Sequence, residues 1–296
     1  MPASSADCHP MPPLALLAVL LAACTHALWN LAAKQAAAAR HFVFWYSVVS
    51  MLLYLPALLW VLQRGLPDLD ARHWLALAAT SLLHMGYSLT LQAGYRHADL
   101  SLVYPLARGS GPLLSFVLAV LLLGETAAPG SVLGMLLIVA GILLVAGLLA
   151  GGRRIDGKGV AYGLCTGGFI AAYTINDGWA VKTLLLSPLL VDYTGNLFRT
   201  AVLSPSAWRD WPKARAELRQ FLRPVLTVSL LGPLGYILVL YAMQIAPVSH
   251  VAAARELSTL VGAWLGTRLL NERFATSRLL GAAAIVGGVV LLSLPD

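Results

Sequence analysis

Charged side chains are scarce in this sequence. Of its 296 residues only 11% are Asp, Glu, Lys or Arg, whereas 59% are hydrophobic, and the mean hydropathy is +0.77. A soluble domain of this length needs far more charge to cover its surface. The composition therefore indicates an integral membrane protein whose main partner is the lipid bilayer. The formal net charge of +7 gives no reason to expect a nucleic-acid partner, because Lys and Arg in membrane proteins mainly report topology.

Cysteines and catalytic motifs are also scarce. The three cysteines are too scattered for a disulfide framework or a metal site, and we expect Cys24 and Cys165 to be small core residues of apolar helices. The sequence has no His-Glu-x-x-His, no Gly-x-Ser-x-Gly and no phosphate-binding loop. We therefore expect no metal, no cofactor and no enzymatic activity, with a membrane-embedded enzyme as the alternative. Charge rings or repeated filter segments, which are typical of channels, are not found either.

Long apolar runs are abundant. A helix needs roughly 20 apolar residues to cross the hydrocarbon core, and these runs lack the alternation of barrel strands. The sequence predicts an all-α integral membrane protein with ten transmembrane helices. Their expected bounds are 14–33, 42–62, 73–94, 99–123, 130–150, 159–180, 184–205, 223–243, 248–270 and 277–294. The polar segment "WRDWPKARAELRQ" is expected to be a connection between two of them.

The two halves of the sequence match each other. Residues 105–145 align with residues 252–292 without a gap, at an offset of 147 residues, so that Arg108 corresponds to Arg255. Each half contains five predicted helices, and because five is odd, the second copy must enter the membrane the opposite way up. The sequence therefore predicts two inverted five-helix repeats within one integrated domain. Such repeats are typical of secondary transporters with a substrate site between the halves.

We expect the first repeat to span residues 1–150 and the second residues 151–296. Glu125 and Glu272 close the fourth and ninth helices, and we expect each to cap the N-terminus of the helix that follows it. Small residues spaced four apart in the fifth and tenth helices predict close helix packing there, within one chain or between subunits.

Several of these features resemble a known family. The "HALWN" of the first helix with Lys34 after it, the "GE" closing the fourth, the "NER" closing the ninth and the glycine-spaced fifth and tenth helices are similar to the drug/metabolite transporter superfamily. Within it, they resemble the ten-helix EamA-type members over nearly the whole chain. The resemblance implies a pseudo-two-fold bundle around a central cavity, which moves small polar or amphipathic metabolites by alternating access.

Relatives in that superfamily export amino acids and related metabolites, and others import small nutrients. We therefore expect export of an amino acid or organic anion across the cell (inner or plasma) membrane, by a multi-pass protein that is a monomer or homodimer. The alternative is import of a small nutrient such as an organophosphonate or an amine. Protons are a candidate coupling ion.

The loop charges predict an orientation that differs from the habit of the family. Seventeen Lys and Arg remain when Arg108, Arg199 and Arg255 are set aside, and fourteen of them fall in odd-numbered loops against three in even-numbered loops. Short cytoplasmic loops attract positive charge, so this bias places both termini outside the cytoplasm. Ten-helix relatives usually have both termini inside. We follow the charge bias.

Polar side chains inside apolar spans are costly, so each is a candidate functional group. In the first helix His26 and Asn30 lie four residues apart and share one face, with Trp29 beside them. His26 lies too deep for its ring to reach the headgroups. We predict that His26, Trp29 and Asn30 line the substrate cavity, the alternative being hydrogen bonds between helices.

The fourth helix places Arg108 among residues that interrupt helices. Pro105 and Pro112 flank it, together with two glycines. A broken helix beside a buried cation predicts a site for a carboxylate or a phosphonate-like group. The alternative is a structural ion pair between Arg108 and an acid elsewhere. Arg255 is the symmetric cation in the ninth helix, and Glu256 follows it on a different face, about 100° away.

The sixth helix carries a second polar face. Tyr173, Asn176 and Asp177 have helical spacings of three and four. We expect Asp177 either to pair with Arg108 or Arg255, or to titrate and couple transport to protons; a position at the end of a loop is the structural alternative.

The substrate-site candidates are His26, Trp29, Asn30, Tyr87, Arg108, Tyr173, Asn176, Asp177 and Arg255, and the proton-coupling candidates are Asp177, Glu256 and His26. Asp177 and Glu256 are counted as the acids within the spans. Against these two negative charges, the three intramembrane arginines give the cavity a net positive charge. That balance favours an amino acid, a carboxylate or an organophosphorus anion. The short four-helix multidrug relatives in the superfamily that this sequence resembles bind cations and protons at a glutamate in their first helix. The first helix here has no acid, which weakens the case for a cationic drug.

Overall fold

The computed structural model describes residues 11–36, 39–65, 68–97, 100–145, 157–258 and 276–293, and within these ranges the regular structure is all helical. The described helices are α1 (Pro13–Gln35), α2 (Phe42–Gln63), α3 (Ala71–His97), α4 (Leu100–Leu123), α5 (Pro129–Val145), α6 (Gly157–Lys182), α7 (Pro188–Arg209), α8 (Trp211–Gln220), α9 (Leu222–Ile245), α10 (Val248–Ala254) and α11 (Thr276–Ser293).

Several helices have the length and composition of membrane spans. Four of the described segments meet both criteria: Pro13–Ala33, Phe42–Gln63, Leu106–Leu123 and Leu222–Ile245. Two shorter apolar helices, Pro129–Leu144 and Leu280–Leu292, accompany them. Large apolar side chains point outward, as Leu121 at 71% exposure shows, which is the arrangement expected against lipid. The chain is therefore a multi-pass membrane protein.

The outer surface also corrects one expectation about the cysteines. Cys24 on α1 and Cys165 on α6 are both exposed, so the prediction that they are core residues is wrong. Cysteine is small and apolar enough for either a core position or a lipid-facing position, and the spacing of apolar residues along a helix does not distinguish these two positions. Cys8 lies outside the described residues.

The helix bounds repeat at the offset found in the sequence. Adding 147 to the bounds of α5 gives 276–292, and α11 spans 276–293; adding 147 to those of α2 gives 189–210, and α7 spans 188–209. The most extensive packing joins α5 to α11, α1 to α9, and α6 to both α3 and α4. Each of these pairs takes one helix from each half of the chain. The two halves therefore interleave and share one core.

The contact between α5 and α11 depends on glycine. A Cβ atom at Gly134 would lie 2.7 Å from the carbonyl oxygen of Gly288, and one at Gly141 would lie 2.6 Å from that of Gly281. Distances this short leave no room for a methyl group, so the backbones touch. As α5 advances from Gly134 to Gly141, its partner runs back from Gly288 to Gly281. The two repeat-related helices are thus antiparallel, and the offset of 147 exchanges the two contacts.

Two expectations about helix continuity are wrong. α4 is continuous from Leu100 to Leu123 through Pro105 and Pro112. The interruption lies instead in the ninth span, where α10 ends at Ala254. In addition, the polar segment taken for a simple connection contains the helix α8, whose Pro212 occupies the first turn, where its missing N–H costs nothing.

The acidic cap of the fourth helix also differs from the expectation. The Glu125 carboxylate accepts hydrogen bonds from the amides of Val248 (2.5 Å) and Ser249 (3.0 Å). It therefore caps α10 from the other half of the chain and not α5, which follows it in sequence. An anion at a helix N-terminus is stabilised by the unpaired amides there, whichever segment supplies it. Its counterpart Glu272 lies outside the described residues.

The polar helix α8, which lies outside the apolar spans, attaches to the start of α2. The Glu217 carboxylate accepts hydrogen bonds from the amides of Arg40 (3.1 Å) and His41 (2.8 Å), and His41 Nδ1 lies 3.1 Å from it. Trp45 Nε1 donates to the carbonyl of Ala214 at 2.7 Å. Although partial burial raises the pKa of Glu217, these hydrogen bonds outweigh it and hold the pKa below the usual value. The contact joins the two halves at one end of the bundle.

The glycine contact gives a first prediction. Gly141→Ala should lower stability by about 1–3 kcal/mol, because the new methyl group meets a backbone carbonyl that cannot move aside cheaply. Gly287→Ala on α11 is the matched control, since a Cβ there meets nothing within 4 Å. It should be neutral or stabilising by up to about 1 kcal/mol, owing to the better helix propensity of alanine. Thermal unfolding of the purified proteins in detergent measures both; equal effects would contradict the packing.

Candidate substrate cavity

A cavity opens between the two halves, lined by residues from α1, α2, α3, α4, α6, α7, α9 and the end of α10. Its volume is about 190 Å³. At roughly 30 Å³ for each water in the liquid, it has room for about six waters. The cavity is therefore suited to a small metabolite.

The structure brings six of the predicted substrate-site residues together at this cavity. They are His26, Trp29, Tyr87, Arg108, Tyr173 and Arg255. The side chain of Asn30 lies outside what the structure describes. Asn176 and Asp177 belong to the layer behind the wall, where the Asn176 amide donates to the carbonyl of Ala76 at 3.0 Å and to Asp177 at 3.3 Å. Asp177 is inside α6, so its placement at the end of a loop is wrong.

Arg108 is held by an acid from the other half of the chain. Its guanidinium donates to both oxygens of Glu256, at 3.1 and 3.4 Å, and Glu256 is 0% exposed. The other terminal nitrogen contacts His26 Nε2. Arg108 therefore forms the ion pair with an acid elsewhere in the chain that the sequence analysis gave as the alternative to a substrate site. The pair neutralises two buried charges that would each be costly alone.

Arg255 has a different environment. It follows the last residue of α10, its side chain is 7% exposed, and it lines the cavity. Among the described residues nothing accepts a hydrogen bond from its guanidinium, and Nε is buried without a partner. The guanidinium carbon lies 5.9 Å from the ring centre of Tyr173, a cation–π distance. A buried donor group in this state can bind an anion that enters the cavity.

The backbone beside Arg255 is tightened. The amide of Glu256 donates to the carbonyl of Ala253 at 3.0 Å, and that of Ser258 to the carbonyl of Arg255 at 3.1 Å. These are bonds of three-residue spacing in place of the α-helical four. Such a short 3₁₀ stretch within a span often marks a hinge. At this stretch Arg255 lies at the cavity and Glu256 lies against Arg108.

The repeat explains the placement of both arginines. The offset of 147 that relates Arg108 to Arg255 also relates His26 to Tyr173. The structure places Arg108 against His26 and Arg255 against Tyr173. The two halves therefore present equivalent arginines to equivalent positions on α1 and α6, and only the first arginine has a carboxylate partner among the described residues.

One acid of the cavity wall is not among the predicted site residues. Asp192 on α7 lines the cavity and is 8% exposed. Asn196 donates to its carboxylate at 2.9 Å, and Arg199 donates in turn to the Asn196 amide oxygen at 2.9 Å. Asp192, Asn196 and Arg199 are spaced four and three residues apart, so the sequence alone places these three polar side chains on one helix face. Counting Asp177 and Glu256 as the acids of the spans was therefore wrong, and among the described residues the spans hold three carboxylates beside the three arginines Arg108, Arg199 and Arg255.

His84 on α3 is a second residue that was missed. Its ring lines the cavity, stacks on Tyr173 at 4.1 Å between ring centres and lies 3.1 Å from the Tyr236 hydroxyl. His84 lies within the predicted third span, so the rule that a polar side chain inside an apolar span is a candidate functional group applies to it as it does to His26. Its partners, in contrast, depend on how α3 packs against α6.

The structure also changes the partners expected for Asp177. Its carboxylate accepts hydrogen bonds from the hydroxyls of Thr80 and Tyr236 and lies 3.5 Å from His84 Nε2. The expectation that it pairs with Arg108 or Arg255 is not met in this conformation. Among the described residues no group of three or more His, Cys, Asp or Glu side chains is arranged to hold a metal ion.

Comparisons with known proteins agree with this architecture. One crystal structure of a protein superimposes on this chain with a TM-score of 0.72, covering 94% of this chain and 95% of that one at 17% identity; at this identity the likeness shows a shared fold alone. The search of curated proteins found no match. The model of the EamA-like transporter family matches twice, over residues 13–147 and 157–294. With one match on each half and nearly the whole length covered, the chain belongs to the EamA-like transporter family.

Proposed function

We propose that this protein is a secondary transporter that moves a small metabolite with an anionic group, an amino acid or an organic anion, by alternating access through the central cavity. The observation that carries the proposal is Arg255, a buried guanidinium on the cavity wall whose side chain has no hydrogen-bond acceptor among the described residues. Arg108 is neutralised by Glu256, and Arg199 is tied to the chain of Asn196 and Asp192. A carboxylate of the substrate would give Arg255 the anionic partner that Glu256 gives Arg108.

The other walls of the cavity support a small amphipathic substrate. Aromatic rings of Trp29, Tyr87 and Tyr173 face it together with the carboxylate of Asp192. Aromatic walls accept an apolar side chain, while Asp192 offers an acceptor for an ammonium group. An amino acid has all three parts: carboxylate, ammonium and side chain. Export across the cell membrane is the direction that the sequence resemblance favours.

The proposed architecture is a set of ten spans in two inverted repeats, residues 1–150 and 151–296. Its support is the antiparallel crossing of α5 with its repeat partner α11 and the recurrence of helix bounds at the offset of 147. Opposed repeats of this kind let the same hinges open a midplane site first to one side and then to the other.

A second candidate is import of a small amine. It is favoured by Asp192, the one carboxylate among the described residues that lines the cavity. An amine without an acidic group would use Asp192 and leave Arg255 unused. The two candidates therefore differ in which charged residue transport requires.

The Arg255 site predicts a loss of transport. Arg255→Gln removes the charge but keeps a polar side chain, and a charge-assisted hydrogen bond is worth about 1.5–3 kcal/mol, so substrate affinity should fall roughly 10-fold to 100-fold. Uptake of labelled amino acids and small carboxylates into proteoliposomes measures this. Arg64→Gln, at an exposed arginine on the outer surface, is the control and should transport normally. Normal transport by R255Q would refute the anion site; loss in Asp192→Asn alone would favour the amine.

The buried ion pair predicts a stability cycle. R108M leaves the Glu256 carboxylate buried without its partner, which costs about 3–5 kcal/mol and should lower the melting temperature by on the order of 10 °C. In the double variant R108M/E256L no charge is left behind, and most of that stability should return. Thermal unfolding in detergent gives both values. Additive losses in the double variant would show that the two side chains do not depend on each other.

The orientation in the membrane follows from the charge bias, with both termini outside the cytoplasm. A C-terminal fusion to alkaline phosphatase, which is active only outside the cytoplasm, should therefore be active. The matching fusion to a reporter active only in the cytoplasm should be silent. The reverse result would place this protein with the usual orientation of its relatives.

A further inference from the structure

A buried carboxylate lies directly behind the cavity wall. Asp177 on α6 is 1% exposed. Its oxygens accept hydrogen bonds from the hydroxyls of Thr80 on α3 and Tyr236 on α9, and both of those residues line the cavity. Asn176 contributes a further donor at 3.3 Å. Helices from both halves of the chain therefore meet at this one carboxylate, through donors that are all neutral.

His84 connects this carboxylate to the cavity. Its Nε2 lies 3.5 Å from Asp177 and 3.1 Å from the hydroxyl of Tyr236, while the ring itself is part of the cavity wall. Histidine both accepts and donates a proton near neutral pH. The chain of groups runs from cavity to His84 to Asp177, at distances that small side-chain movements close to hydrogen bonds.

Other charges act on this pair from the helices around it. Arg255, at the end of α10, acts electrostatically on Asp177 and on His84, and Arg199 on α7 acts on His84. Asp192 on α7 acts on Tyr236, and Tyr173 on α6 stacks against the His84 ring. Among the described residues, neither arginine lies within ion-pair distance of Asp177. The carboxylate is thus near positive charge without being locked to it.

Proton binding at Asp177 changes the contacts between helices. An ionised carboxylate is an acceptor only, whereas a protonated one becomes a donor and gives up part of its accepting capacity. When Asp177 binds a proton, the hydroxyl of Thr80 or Tyr236 must turn away or accept in its place. Those hydroxyls tie α3 and α9 to α6, so the proton biases the same helix packing that alternating access has to rearrange.

We propose that Asp177 is the proton-binding site of the transporter and that it exchanges protons with the cavity through His84, so that substrate movement is coupled to proton movement. In the exchange step a hydronium ion of the cavity gives a proton to Nδ1 of His84 and becomes water, while the N–H bond at Nε2 breaks and an O–H bond forms at Asp177, so that the histidine is neutral before and after. The coupling rests on the proposed function, whereas proton exchange at Asp177 can be measured without any substrate.

The transport test uses proteoliposomes and the labelled amino acids and small carboxylates named above. Wild-type protein should accumulate a transported compound several-fold more under an imposed pH gradient than without one. Asp177→Asn keeps the shape of the side chain but cannot titrate, and it should lose that response. Exchange of labelled for unlabelled compound without a gradient reports whether the variant is assembled. Asp68→Asn, at an exposed loop position, is the matched control. A D177N protein that responds to the gradient like wild type would overturn the proposal.

A second measurement covers the case in which D177N does not fold. Infrared spectra of wild-type protein in detergent, recorded across a pH titration, should contain the carbonyl band of a protonated carboxylic acid, and in Asp177→Glu that band should move. In His84→Gln the proton of the Asp177 carboxylic acid should exchange for deuterium more slowly when the protein is placed in heavy water. Absence of a pH-dependent band that moves in D177E would overturn the proton site. If wild-type protein transports none of the compounds, the proposed function fails, and the infrared titration still decides the proton site.

Discussion

The buried pair of Arg108 and Glu256 sets the character of the cavity. Two ions removed from water must neutralise each other closely, and here the guanidinium comes from α4 and the carboxylate from the tightened turn after α10. The pair therefore ties the halves of the chain together at the seam. It also breaks the symmetry of the repeat: one of two equivalent arginines is neutralised by this carboxylate, and the other faces the cavity with no acceptor among the described residues. Under the proposed function, a symmetric fold thereby produces one anion site.

The same seam explains why the halves cannot be treated as separate units. Each heavily packed helix pair takes one member from each half. Two carboxylates also bond to the other half: Glu125 accepts from the first amide of α10, and Glu217 accepts from the amide of His41 at the start of α2. In lipid, where apolar contact between helices gains little over contact with the acyl chains, close backbone approach and polar bonds hold helices together. Gly134 and Gly141 supply the close backbone approach. Within the spans, the bonds of Arg108 to Glu256 and of Thr80 to Asp177 supply the polar contacts between the halves.

Much of the fold could be predicted from sequence because its signals are local. Apolar length gave the helices, and the gap-free offset gave the repeat. The site was only partly accessible. His26, Arg108 and Arg255 were found because a charged or polar side chain in an apolar span is conspicuous. His84 and Asp192 also lie in predicted apolar spans, so the same signal was available for them. The partners of Arg108 and Asp177 depend on which helices face each other, and spacing along one helix does not contain that information. The two prolines of α4 misled because, in a span packed on its neighbours, a helix can stay continuous through a proline.

The arrangement of Arg255 and Asp177 links substrate charge to the sign of proton coupling. Linkage is reciprocal: if a bound substrate changes the affinity for the proton by some factor, a bound proton changes the affinity for the substrate by the same factor. A purely anionic substrate on Arg255 cancels the positive charge that favours ionised Asp177, so anion and proton bind together and travel the same way. A substrate whose ammonium group approaches Asp177 competes with the proton, and the two travel in opposite directions. An inward proton gradient then drives uptake in the first case and export in the second. Under the proposed function, proton-driven export of an amino acid therefore requires its ammonium group, with Asp192 as its acceptor, to lie close enough to Asp177 to act on that carboxylate. Both carboxylates act electrostatically on Tyr236, which forms part of the cavity wall.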